Sequence, residues 1–382
     1  MNRKKIYRRI VFFSSLSYEM CSFGDAINDK KLFDAIPSKF NKYTIHLHYL
    51  KNNKPNIKSL IILFLQYIKE CFTSYNIIIT RGAKRAFLPI LFKKFLKNKI
   101  ILRLGCTPLS FVEKKAFSKN IEYNSNNSIL KKYLNYIESI IEKFALHNAD
   151  KYIVENSRSI KIILNYGAKL DDITIIPYYI QEYFLNGKNP SFNKEFDVLK
   201  IGYTGRFKKY DLLAPIIYAI SSLKNEGYQI RLYLIGDGPK QKNIKKLVEE
   251  RNLTENILFL GSKSHDVVSQ LINDYHCLLF PMLNNICPST VAIKILEGVM
   301  KKKIIITTNS GNNVSLFLGH SNLILQETTD RCIANKIKLV IENYDHYIGI
   351  AEEICIYQSN FRSKKIYKKQ IRQLLVETIS NN

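Results

Sequence analysis

Four polar stretches in the second half of this 382-residue chain each close an apolar run that reads as a strand, and each leads into a helical pattern. In YTGRFKKYD, after Gly205, Arg206 can grip two phosphate oxygens through its planar fork, and Lys208 or Lys209 can add a second positive charge. In LIGDGPK, Gly236 and Gly238 allow either a close backbone approach or simply a tight turn. In LFLGSKSHD the strand ends at Gly261, and exposed backbone at Ser262 and Lys263 could meet the edge of a base. In FPMLNNICPSTVAIKILEGVM, Ser289 precedes a helix that carries Lys294 and Glu297 on one face. A carboxylate at Glu297 would suit a ribose diol, although a surface ion pair with Lys294 accounts for the two charges equally simply. A pyrophosphate is the natural guest of the first of these loops, since helix amino termini and loop N–H groups at such strand ends can also hold phosphate.

The elements that must carry these loops follow from hydrophobic patterning. Up to about residue 180, the runs IVFFSS, YTIHLHYL, YNIIIT, KIILRL, KYIVEN and ITIIP alternate with helical stretches such as KSLIILFLQYIKECF and FLPILFKKFLK. The stretch NGKNPSFNKEFD then breaks the pattern as linkers do, and a second series of strands and helices runs from VLKIGYTG to KIIITT. The expected fold class is α/β, with two doubly wound, Rossmann-like domains of parallel sheet. The expected divisions are 1–185, a linker over 186–196, a second domain over 197–350, and basic closing helices over 351–382 that return toward the first domain.

Fifty-eight Lys and Arg oppose 32 Asp and Glu, and residues 1–100 alone hold 20 of the former against 5 of the latter. The first half is the basic one. Residues 81–99 set Arg81, Lys84, Arg85, Lys93, Lys94, Lys97 and Lys99 around the apolar block AFLPILF, a pattern that suits an anionic membrane surface or a solvated crossover helix. Seven scattered Cys without a C-x-x-C pair suggest neither a disulfide framework nor a zinc site, and a reducing cytoplasm fits. The longest apolar run, LIILFL, is far short of the roughly 20 residues that cross a bilayer. The basic-then-apolar start reads as a first buried strand rather than a secretory signal.

In order and spacing the four loops resemble the carboxyl-terminal domain of the family 4 glycosyltransferases, nucleotide-sugar enzymes of the GT-B fold, over about residues 197–345. The resemblance implies two domains facing each other across a cleft. It implies that Arg206 and Lys209 hold the donor diphosphate, that Glu297 binds the donor ribose, and that Gly205, Gly236, Gly238, Gly261, Ser262, Ser289 and Lys294 line the donor site. Ser289 stands where the family commonly has a glutamate that contacts the sugar. In the first half, LSYEMCSFGD with Gly24 resembles the acceptor-side glycine loop, and Gly105 followed by Cys106 stands where many members carry a histidine. Glu142 and Asp150 in IEKFALHNADKYIVENS, and Gln181 in the crossing segment, resemble the family's Glu to Ala-Asp stretch and its interdomain Asp.

The expected activity is therefore transfer of a sugar, with retention, from a nucleotide-diphosphate donor to a glycan or lipid-linked acceptor in polysaccharide or glycolipid synthesis. Neither metal nor cofactor is expected, since Arg206 and helix amino termini would meet the leaving charge. The expected location is the cytoplasm, with peripheral attachment to the inner face of the membrane as an extension. Three rivals stand beside it: a degenerate member kept as a partner protein, motivated by Ser289; a nucleotide-sugar epimerase; and a nucleic-acid-binding protein, which the charge permits but for which no nucleic-acid module is present.

Overall fold

The computed structural model describes residues 9–14, 24–46, 65–73, 77–104, 129–207, 212–282, 291–310, 313–321 and 323–380. The chain forms two compact units, one of Met1–Tyr178 with Lys364–Asn382 and one of Tyr179–Ser363.

The first unit contains strands β1 (Arg9–Ser14), β2 (Asn41–His46), β3 (Ile77–Arg81), β4 (Lys99–Leu104), β5 (Lys151–Val154) and β6 (Ile173–Ile175). They form one parallel sheet in the order β2-β1-β3-β4-β5-β6, with Ile10 opposite Ile77 and Ile77 opposite Lys99. All six apolar runs expected from the sequence are present. Each of the five residues of β3 is buried, as expected for a parallel strand covered on both faces. The helices are α1 (Gly24–Ala35), α2 (65–71), α3 (Phe87–Leu96), α4 (Ile129–Asn148) and α5 (Ser157–Leu164). Asn156 caps α5 by accepting from Ser159 N–H. The last helix of the chain, α12 (Lys364–Ser380), also belongs to this unit and packs on α1.

The second unit repeats the plan with β7 (Leu199–Thr204), β8 (Ile230–Ile235), β9 (Ile257–Gly261), β10 (Cys277–Phe280), β11 (Ile304–Thr308) and the two-residue β12 (Ile324–Leu325). Their order is β12-β11-β10-β7-β8-β9, again all parallel. Helices α6 (Leu213–Asn225), α7 (Gln241–Glu250), α8 (His265–Ile272), α9 (Ile293–Met300), α10 (Asp330–Glu342) and α11 (Tyr344–Ser359) cover it. The apolar faces of α6 and α10 meet on one side, where Ile216, Ile220, Ile337 and Val340 are fully buried.

The divisions differ from the expected ones in three ways, the first being that residues 179–185 belong to the second unit. Residues 186–196 are part of the second unit: Lys303 Nζ donates to Lys188 O at 2.6 Å, Asn189 Nδ2 to Lys302 O at 3.0 Å, and Tyr344 Oη to Pro190 O at 2.8 Å. A polar, Pro- and Gly-containing composition marks irregular backbone, and here that backbone is pinned at residues 188–190. The closing helices are split, with α11 in the second unit and α12 in the first.

Candidate functional site

In sheet 2, β7 lies between β8, which follows it, and β10, which comes later, so the chain turns away in opposite directions on the two sides. Ligands of open α/β sheets bind at the carboxyl ends of strands at such a switch. The loop Gly205–Phe207 leaves β7 there. It is held by backbone bonds from Gly205 N to Ile235 O at 3.0 Å, Phe207 N to Asp237 O at 2.8 Å and Lys240 N to Phe207 O at 3.1 Å. Gly236 makes that closure feasible: its φ is +133°, and a Cβ there would lie 1.9 Å from Gly205 O. A Cβ on Gly238 would lie 2.7 Å from Phe207 N. The glycines of LIGDGPK thus serve close approach of two loops. Gly261, at the end of β9, accepts from Gly236 N at 2.8 Å and continues the layer, and Ser262 and Lys263 beyond it are exposed.

Arg206 is half-buried at the rim of this loop, and its carbonyl accepts from Tyr203 Oη at 3.4 Å. Tyr203 is fully buried and its hydroxyl also accepts from Lys294 Nζ at 3.2 Å. Lys294 lies across the aromatic floor, 4.7 Å from the Tyr203 ring centre and 5.3 Å from that of Phe280. Its ammonium is 3.3 Å from where a Cβ of Gly205 would stand. Side chains at 294 and 297 therefore do not pair with each other. Glu297 is 5% exposed, and its Oε1 lies 3.1 Å from Nδ1 of His265, the first residue of α8. An ionised carboxylate only accepts, so Nδ1 carries the proton. Phe184 meets the His265 ring edge-on, with centroids 6.3 Å apart.

His265 is the residue that sequence reasoning passed over. It stands in LFLGSKSHD, but its partner is 32 positions further on, and only the folded sheet brings β9 and the helix after β10 together. Lys209, Ser289 and Gly105 lie outside the described residues, while Gly24 is the first residue of α1. Two other candidates of the first half have structural partners. The Glu142 carboxylate is buried beside Lys84 at 3.7 Å, and Asp150 accepts from Ile100 N at 2.8 Å and pairs with Lys93. Among the described residues no three His, Cys, Asp or Glu side chains gather as a ligand set for a metal, and no helix is long and apolar enough to cross a membrane.

The basic stretch 81–99 is presented differently from its sequence. Arg81 is buried on Asp29 at 2.8 Å, Lys84 pairs with Glu138 at 2.6 Å, Arg85 donates to Arg81 O at 2.8 Å, and Lys93 serves Asn148 O and Asp150. Lys94 and Lys97 remain exposed beside Leu91 and Phe95.

Residues 188–354, which hold Arg206, His265, Lys294 and Glu297, match the family model of the glycosyl transferases group 1. The match falls on the second unit. Curated relatives align over short stretches, so that the chain spans only 22% to 30% of their own length. One of them is the poly(ribitol-phosphate) alpha-N-acetylglucosaminyltransferase of Staphylococcus aureus (strain COL), 26% identical over 152 residues, 36% of this chain and 30% of that protein. Among solved structures, sucrose-phosphate synthase from Thermosynechococcus elongatus superposes with a TM-score of 0.76 at 14% identity, covering 98% of this chain and 100% of that one. HepE of Anabaena, solved with UDP and glucose, superposes with a TM-score of 0.69 at 14% identity, over 96% of this chain and 99% of the other. The fold is GT-B.

Proposed function

We propose that the chain is a nucleotide-sugar-dependent glycosyltransferase whose donor binds at the carboxyl edge of sheet 2. The observation that carries this reading is the convergence of the Gly205–Phe207 loop, Lys294 and the buried Glu297 at the β7/β10 switch. Arg206 and Lys294 supply positive charge for a diphosphate, and Glu297 supplies an acceptor for ribose hydroxyls. Lys294 takes the part for which the sequence offered Lys209. The UDP bound in the HepE structure is consistent with such a guest.

The bond from the anomeric carbon to the diphosphate oxygen breaks as the acceptor hydroxyl forms the new glycosidic bond, with retention and without a protein nucleophile, and the hydroxyl proton leaves with the departing diphosphate. Charge develops on the departing diphosphate, and Lys294, held on Tyr203, together with Arg206 on the loop braced by the glycines, stabilises it without a metal. The acceptor is a glycan or lipid-linked glycan taken up by the first unit. An anionic acceptor suits the basic chain, as a poly(ribitol-phosphate) suits the staphylococcal relative named above. Attachment to an anionic membrane surface would use exposed Phe95 and Leu91 with Lys94 and Lys97, a smaller patch than the whole of 81–99.

Thermal unfolding with UDP, GDP, ADP and their sugar conjugates tests the donor reading. A ligand bound only by the folded protein at a hundredfold excess over Kd adds about 2.7 kcal/mol of stability. One nucleoside diphosphate should raise Tm selectively. No shift with any of them in a cooperatively melting protein would replace this reading by that of a degenerate partner protein. Sedimentation with anionic and neutral vesicles at low salt tests the membrane patch, and equal partition to both would remove it.

A further inference from the structure

We propose that His265 is a positioning residue for the donor carboxylate: by donating Nδ1–H to Oε1 of Glu297 it fixes the rotation of that carboxylate and aims its second oxygen at the donor ribose. The inference rests on the donor reading above and adds a residue that neither the loop motifs nor the family match assigns.

Three observations carry it. The bond is 3.1 Å long and joins two helices that have strand β10 between them in the chain, so it ties the start of α8 to α9. Glu297 is 5% exposed, and in such a place a carboxylate depends on protein donors for its solvation and orientation. His265 is itself held: Phe184, fully buried, meets its ring edge-on, and the Tyr183 carbonyl next to Phe184 accepts from Ser269 Oγ, one turn along α8. The imidazole is thereby anchored on its own helix before it meets the glutamate. A site that must accept two ribose hydroxyls gains from a carboxylate whose rotation is fixed in advance.

The other candidates fall short. The polar hollow lined by Lys93, Lys99, His147, Asp150 and Asp172 in the first unit surrounds the carboxyl end of α4, whose carbonyls oppose an anion. The apolar hollow beneath α11 carries no feature that identifies an occupant.

The test is calorimetric titration of His265→Phe and His265→Asn with the nucleoside diphosphate that stabilises the wild type, alongside its 2′,3′-dideoxy counterpart. Phenylalanine keeps the packing on Phe184 and removes the donor, whereas the Asn amide can replace Nδ1–H. Loss of a hydrogen bond to a charged group corresponds to roughly 10-fold or more in binding. His265→Phe should weaken the ribonucleotide about 5- to 20-fold, His265→Asn should recover most of that, and neither should change affinity for the dideoxy compound. In a Glu297→Ala background, His265→Phe should add nothing. Equal loss for both nucleotides, or an additive effect in that background, would overturn the positioning role while leaving the donor reading intact. Unchanged affinity of His265→Phe with a normal melting curve would do the same. Failure of the wild type to bind any nucleoside diphosphate would overturn both. Should His265→Phe melt early, His265→Asn and the dideoxy comparison on the wild type and Glu297→Ala decide the question.

Discussion

At the carboxyl edges of their sheets the two units use charge in opposite ways. In the first, Arg81 at the end of β3 and Arg103 near the end of β4 both donate to Oδ1 of Asp29, each at 2.8 Å, and Asp29 is fully buried. The Arg103 guanidinium also lies 5.0 Å from the Tyr178 ring centre, and Tyr367 of α12 is buried beside it. In the second, Arg206 is half-buried at a rim, Lys294 rests on an aromatic floor, and Glu297 faces a single imidazole. The second unit has its own buried cation, but at the amino end of its sheet. There Lys303 donates to the carbonyls of Lys188, Asn273 and Tyr275 at 2.6, 3.0 and 2.8 Å. Burial pulls the Lys303 ammonium down to about 7, yet three carbonyl acceptors require three donors, which the charged form alone provides. Charge counts per domain therefore do not measure charge offered to a ligand. The unit with the larger excess buries several cations in its own frame, while the other places Arg206 half-buried at a rim and Lys294 over an aromatic floor.

This contrast breaks first at Asp29. Removing one partner of a buried ion pair costs about 3–5 kcal/mol, so Asp29→Ala should lower stability by that amount or prevent folding. A loss under about 1 kcal/mol in denaturant unfolding would mean that the Arg81–Arg103 cluster is not a structural element. Lys303→Met should cost about 3 kcal/mol by leaving three carbonyls without their donor, whereas Arg206→Ala should stay within about 1 kcal/mol of wild type. Equal losses at the two sites would erase the distinction between frame and rim. Gly236→Ala is expected to fall between them, costing about 1–3 kcal/mol for a side chain forced to positive φ against Gly205 O. On the proposed donor reading it should also weaken nucleotide binding about tenfold or more, since the Gly205–Phe207 loop must shift. Unchanged affinity in titration would show that the loop contact is not needed.

The smallest effect is a pH dependence within the second unit. His276 Nδ1 accepts from Lys200 N at 2.8 Å and Nε2 faces Ser191 O at 3.2 Å, a neutral arrangement. Burial lowers its pKa from 6.5. Between the folded value and 6.5 the unfolded chain binds a proton that the folded chain does not, so stability is complete above 6.5 and declines as pH falls. The slope is at most about 1.4 kcal/mol per pH unit. Melting curves of His276→Gln between pH 7 and 5 should be flatter than those of the wild type, and parallel curves would remove His276 from the acid limb.

What the sequence made legible was what is local. Long apolar runs such as KIILRL and QIRLYLIG became strands because a buried parallel strand needs little else, and the loops after β7 and β8 kept the glycines that their closeness demands. Helix α1, GDAINDKKLFDA, has no apolar stripe to mark it, and β12 with its two residues is too short to leave a pattern. The pairings that settle each charge were out of reach for another reason: Asp29 meets partners 52 and 74 positions away, and His265 meets Glu297 across 32. The same limit made the basic stretch at 81–99 read as a continuous face, and made 186–196 read as a linker when its carbonyls are acceptors for the second unit.

The central claim, a donor site on the open edge of sheet 2, is tested most directly by titrating the best-stabilising nucleoside diphosphate into wild type, Arg206→Ala and Glu297→Ala under identical buffer conditions. The account predicts that each substitution weakens binding about tenfold or more while the melting temperature stays near that of the wild type. Wild-type affinity in both well-folded variants would contradict it and place the nucleotide, if bound at all, elsewhere.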